Sequence, residues 1–161
     1  MVIVRGTRRF LDRIGEPTVT ANDVSTTVLG DWYATVLRRR SPVALFVNET
    51  TLLPVFTQLA PARTLLRRFP AAVTTVLTAH GLDPAFVEDE ISRTSPVALA
   101  PTANRSVVGI MNEFTILAGH ARTDDLLEQA VVLARTPCSP LYERHVSPDR
   151  ELRALAAEHS R

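Results

Sequence analysis

Apolar positions follow two rhythms along the chain. Between Trp32 and Phe56, the runs WYATVL, VALFVN and LLPVF are rich in β-branched and aromatic residues and are parted by the short polar stretches RRRSP and NETT. Runs of this length with links this short predict three strands in an antiparallel meander. Pro54 cannot donate to a ladder and belongs at an edge or a strand start. VIVR at residues 2–5 predicts an N-terminal strand and SPVALAP at residues 95–101 a later one. After Pro61 the spacing becomes helical: Leu65, Leu66, Phe69, Val73, Val76 and Leu77 share a face, Gly81 is a stop, and Pro70 should kink or divide the segment. Shorter helices are expected over Arg8 to Ile14 after Thr7, over DPAFVEDEI, over DLLEQAVVLAR and from Pro148 onward. Strands lead and helices follow, so the expected class is α+β. The expected architecture is a meander with an N-terminal strand, packed by a single layer of helices on one sheet face. It forms one domain over 1–161, with 136–161 an extension packed on it.

The segment TANRSVVGIMNEF at 102–114 carries the most unusual pattern. A helical projection puts Val107, Ile110, Met111, Phe114, Leu117, Ala118 and Ala121 on one face. Arg105, Gly109, Asn112, Ile116, Gly119 and His120 fall opposite, and two glycines with an isoleucine predict a second packed face, against the sheet or a second subunit. Asn104 suits the N-cap. Exposed first-turn amides, the Arg105 guanidinium and the Ser106 hydroxyl would then form a cradle for a phosphate or carboxylate. The plainer alternative is that Asn104 only caps, Arg105 pairs with a nearby acid and Asn112 satisfies a neighbouring loop or strand edge.

Composition narrows the class of protein. The chain has 161 residues, 45% of them hydrophobic and 22% charged, enough for a core without disulfides or metals. No apolar run approaches the roughly 18 residues of a membrane span, and the N-terminus lacks a signal-peptide pattern, which predicts a cytoplasmic protein with no membrane contact. All eighteen basic residues are arginine, a hint of a GC-rich genome, and the formal net charge of +1 provides no global field. Cys138 is the only cysteine, which excludes an internal disulfide framework.

LGDWYATVL, ALFVNETTLLPVF and NRSVVGIMNEF, in that order, resemble the bacterial family known as domain of unknown function 6933. The resemblance runs over residues 2 to about 122 and includes VIVRGTRRFLDRIG; TPCSPLYERHV is similar to segments of some members. It implies kinship without an activity. The positions it singles out are Gly30, Asp31, Trp32, Asn48, Glu49, Asn104, Arg105, Ser106, Met111 and Asn112.

Each candidate has a structural alternative. Trp32 is read first as a core anchor, Asn48 and Glu49 as turn residues, and Asp31 as a partner for Arg105 if the two motifs meet. Arg8, Arg9 and Arg13, the run Arg38 to Arg40, and the pair Arg67 and Arg68 would bind phosphates if they converged; with no aromatic residues among them, solvated faces are the simpler reading. The four histidines show no metal-ligand spacing, Cys138 is read as a structural thiol, and Glu88 to Glu90 as a solvated acidic patch. Walker, Rossmann, GxSxG and HExxH motifs are absent, so no metal or cofactor is expected. The leading expectation is a small binding or interaction module with a polar site of Asp31, Trp32, Asn48, Glu49, Asn104, Arg105, Ser106 and Asn112. Its partner would be a protein or an anionic small molecule, or a second copy across the Gly109 and Ile116 face. The alternatives are an enzyme acting on an anionic small molecule or nucleotide, with Asp31 or Glu49 as base, and a nucleic-acid-binding regulator.

Overall fold

The computed structural model describes residues 1–20 and 22–160. Five strands, β1 (Val2–Gly6), β2 (Trp32–Leu37), β3 (Val43–Asn48), β4 (Pro54–Gln58) and β5 (Val97–Pro101), form one sheet in the order β4-β3-β2-β1-β5. Six α-helices accompany them among the described residues: α1 (Arg8–Ile14), α2 (Leu65–Ala79), α3 (Pro84–Ser92), α4 (Arg105–Ala118), α5 (Leu126–Leu133) and α6 (Pro148–His159). The class is α+β. Local chemistry sets many of the boundaries. Thr7, Asp83, Asn104 and Asp125 each cap a helix with a side-chain oxygen, and Pro54 begins the edge strand β4.

The meander holds for β2, β3 and β4, paired antiparallel as Ala34↔Phe46 and Phe46↔Val55. The sheet as a whole is mixed, because β1 lies parallel to both β2, with Val4↔Trp32, and β5, with Ile3↔Ala98. A strand followed by α1 and a long returning loop makes a crossover unit, which delivers the next strand in the same direction.

Helices also cover both faces, not one. Trp32, Ala34 and Phe46 point to the face where Phe10 of α1 and Phe69 of α2 pack, with the Phe46 and Phe69 ring centroids 4.6 Å apart. Tyr33 points the other way, and its hydroxyl accepts the Asn104 N–H at the start of α4 at 2.9 Å. All six residues of β3 are buried as a result. The unbroken apolar run VALFV was the signal for this, since a strand with one solvated face would alternate. Pro70 does not divide α2, which runs continuously from Leu65; the proline removes only the bond that residue 70 would donate to Leu66. α5 packs on β4, shielding that edge. Cys138, Leu141 and Leu152 join the main core, so residues after 136 contribute to it.

Candidate functional site

The start of β2 and the turn after β3 meet at one end of the sheet, and the N-cap of α4 reaches them only through the hydroxyl of Tyr33. Gly30, at φ +74°, turns the chain from the buried Leu29 into β2, a conformation that a side chain would strain. This sets Asp31 beside Arg5 of β1, whose Nε donates to the Asp31 carboxylate at 2.8 Å, while the Ser25 hydroxyl donates to the other carboxylate oxygen at 2.6 Å. Asp31 therefore pairs with Arg5 and not with Arg105. The parallel pairing of β1 with β2 places Arg5 level with Tyr33, and so close to Asp31, across a register that sequence does not reveal.

Asn48 is fully buried. Its amide donates to Leu29 O at 3.0 Å and Asp31 O at 3.3 Å, and its oxygen accepts from Thr50 N–H, Thr51 N–H and the Thr51 hydroxyl. The side chain locks the turn that carries Glu49, whose backbone N–H donates to Asp31 O at 2.9 Å. Trp32 is buried edge-on against Phe69, as a core anchor.

Glu49 is only partly exposed, and its carboxylate has no hydrogen bond or ion pair among the described residues. Partial burial holds its pKa above the ordinary glutamate value; the Asp31 charge adds to this, and Arg5 opposes it. The Tyr33 hydroxyl is raised as well, by burial and the field of Glu49 against the Asn104 N–H bond and Arg5. The Arg5 pKa is also raised: burial alone would lower it, but the bond to Asp31 and the charges of Asp31, Tyr33 and Glu49 prevail. Arg5, Ser25 and Tyr33 escaped the sequence reading because each looks like ordinary strand or loop material.

The start of α4 is capped from within. The Asn104 side chain accepts from Ser106 N–H at 2.9 Å and Val107 N–H at 3.4 Å, and Tyr33 takes the Asn104 N–H. Two of the amides that would cradle an anion, those of Ser106 and Val107, are thus already engaged. Arg105, Ser106 and Asn112 are exposed, and the Arg105 guanidinium and the Asn112 amide have no partner among the described residues. The Gly109 face is open: a Cβ added there meets nothing within 4 Å, and Ile116 is 65% exposed. Leu117 and Ala121 lie at the surface, off the expected core stripe.

The remaining candidates separate. Burial raises the Cys138 thiol to about 11, and its Sγ–H faces Thr136 O, in keeping with a structural thiol. His145 pairs with Glu151 and His80 is buried in another part of the chain. Glu90 is buried and accepts Val28 N–H at 2.7 Å and Leu29 N–H at 2.8 Å, so it holds the loop before β2 and is no solvated patch residue. Arg68 is spent on the carbonyls of Gln58, Leu59 and Pro61. Arg38 and Arg39 do converge with Arg8, Arg9 and Arg13.

These features define an α+β domain whose mixed sheet, covered on both faces, carries a polar cluster at one end. The chain belongs to the family described as Domain of unknown function (DUF6933), which it matches over residues 3–151. That span runs past residue 122 to take in TPCSPLYERHV and the first turn of α6. No curated protein and no solved structure matches the chain.

Proposed function

We propose that the protein is a binding module of the bacterial cytoplasm whose contact site is the polar cluster at the start of α4, with Glu49 and Arg105 as the groups offered to a partner. The observation that carries this reading is Glu49: a carboxylate partly withdrawn from water, next to the Asp31 and Arg5 ion pair, with no partner among the described residues. A donor group or cation on a partner would relieve that cost. Arg105 supplies the opposite charge from the exposed helix start. Asp31, Asn48, Asn104 and Trp32 act as the frame that positions these two. The bacterial setting follows the family resemblance, the lysine-free composition hinting only at a GC-rich genome, and the single buried thiol of Cys138 supports a reducing compartment.

The test is quantitative partner capture from a bacterial host carrying this gene, using wild type, Glu49→Gln and Arg105→Ala, each first shown to be folded. Loss of the same partner in both variants is the expected result. A partner set unchanged in both would overturn the reading.

A second reading is acid–base chemistry on an anionic substrate. The raised Glu49 pKa favours it, since it brings proton exchange toward neutral pH. Glu49 would then be the base, because Asp31 is committed to Arg5 and Ser25.

A further inference from the structure

Away from that cluster, α1 and the turn between β2 and β3 flank an open concavity of about 540 Å³. Its walls carry Arg8, Arg9 and Arg13 on one side and Arg38 and Arg39 on the other, against a single acid among the described residues, Asp12. Val36 and Pro42 complete the lining. The guanidinium groups of Arg8, Arg9, Arg13 and Arg38 have no hydrogen bond or ion pair among the described residues. Arg5, Arg93, Arg144 and Arg153 each pair with an acid, whereas Arg105 and Arg150 are as unpaired as these four, so what sets the four apart is that they line one concavity.

The chain has 17 acids for its 18 arginines, so acids are not scarce overall. They are scarce at this place. Like charges gathered within about a Debye length, roughly 8 Å at physiological salt, repel one another and raise the local concentration of anions.

The walls are held in place. Thr7 N–H donates to Ala34 O at 2.9 Å and the Thr7 hydroxyl to Thr35 Oγ1 at 3.1 Å, which fixes the start of α1 to β2. Arg39 Nη2 donates to Ala118 O at 3.2 Å and Gln129 Oε1 at 3.1 Å, which anchors the opposite wall. Arg39 is thus a positioning residue, and the other four are free to bind.

We propose that this concavity is an anion site for a compact oligophosphate, the di- or triphosphate portion of a small molecule, independent of the Glu49 cluster. Guanidinium forks drawn from the arginines that line one concavity would match phosphate oxygens in pairs, and balancing four free positive charges takes more than one phosphate. The volume is on the scale of small-molecule sites, roughly 300–1,000 Å³. Among the described residues no aromatic side chain lines it, so they offer no platform for stacking the bases of a single strand.

The test is calorimetric titration of inorganic tripolyphosphate into the full chain at low ionic strength. Saturable one-to-one binding is expected, weakened about a hundredfold in the double variant Arg8→Ala with Arg38→Ala. Arg150→Ala removes an exposed arginine that does not line the concavity and should leave affinity within about twofold, as should Glu49→Gln. Arg38→Lys keeps the charge but loses the fork, and should fall between wild type and the double variant. Thermal melts of each variant separate lost binding from lost folding, and Arg8→Gln alone serves if the double variant is unfolded. Absence of saturable binding at millimolar tripolyphosphate would overturn the proposal, as would equal losses in Arg150→Ala. Tighter binding of a short oligothymidylate strand than of tripolyphosphate would overturn the ligand class.

Discussion

At Gly109 the structure removes one of the two neighbours its pattern suggested, the sheet, and leaves a second subunit to be tested. A glycine within a helix costs about 1 kcal/mol relative to alanine, and that cost suggested close packing on its face. The structure instead leaves the position open, with nothing within 4 Å of an added Cβ. Gly109→Ala should therefore stabilise the isolated protein by about 0.5–1 kcal/mol, read as a higher denaturant midpoint at unchanged slope. A lower midpoint would mean that a second copy or another neighbour packs there. Asp31 is the converse case: its need for a cationic partner was legible, but the partner was not. Arg5 lies 26 residues away, and only the parallel pairing of β1 with β2 brings the two together.

At the scale of elements, helix ends were legible because capping is local chemistry. Asn104 holds the first amides of α4 while Tyr33, from the sheet below, holds the N–H of Asn104 itself. Asn104→Ala should cost about 1 kcal/mol, and Asn104→Asp should retain most of the cap, since a carboxylate accepts the same bonds at the positive helix end. Equilibrium unfolding of the two variants checks this; equal losses would show that the amide group, not the accepting oxygen, matters. Sheet order was less legible than strand existence. Strand identity follows from a few adjacent residues, whereas the placement of β1 between β2 and β5 depends on contacts made across the whole chain. The second helix layer had left a mark in VALFVN, and hairpin rules, which presume one solvated face, passed over it.

For the molecule as a whole, burial of ionisable groups outside the ion pairs makes stability depend on pH in two opposed ways. His80 is 6% exposed, its Nε2 has no partner among the described residues, and its pKa is lowered by burial and by the charges of Arg153 and Arg135, with Asp149 opposing. The unfolded chain then binds a proton more readily than the folded one, so stability falls as pH drops through the ordinary histidine value of 6.5. Glu49 and Glu90 act in the other direction. Their pKa values are raised by burial, against the two backbone bonds in the case of Glu90, so the folded state holds these protons more readily. Their contribution is fully present below the ordinary glutamate value of 4.5 and is lost as pH rises through the folded values above it. Denaturant midpoints measured from pH 8 down to 4.5 should separate the two. His80→Leu should flatten the loss of stability below 6.5, whereas Glu49→Gln should reduce the gain on the approach to 4.5 and raise stability at neutral pH, where the wild-type carboxylate is charged. A His80→Leu profile that still falls as steeply would move the proton uptake to another group. A Glu49→Gln protein no more stable than wild type at neutral pH would show that Glu49 already has a compensating contact, and the binding site built on its lack of one would lose its basis.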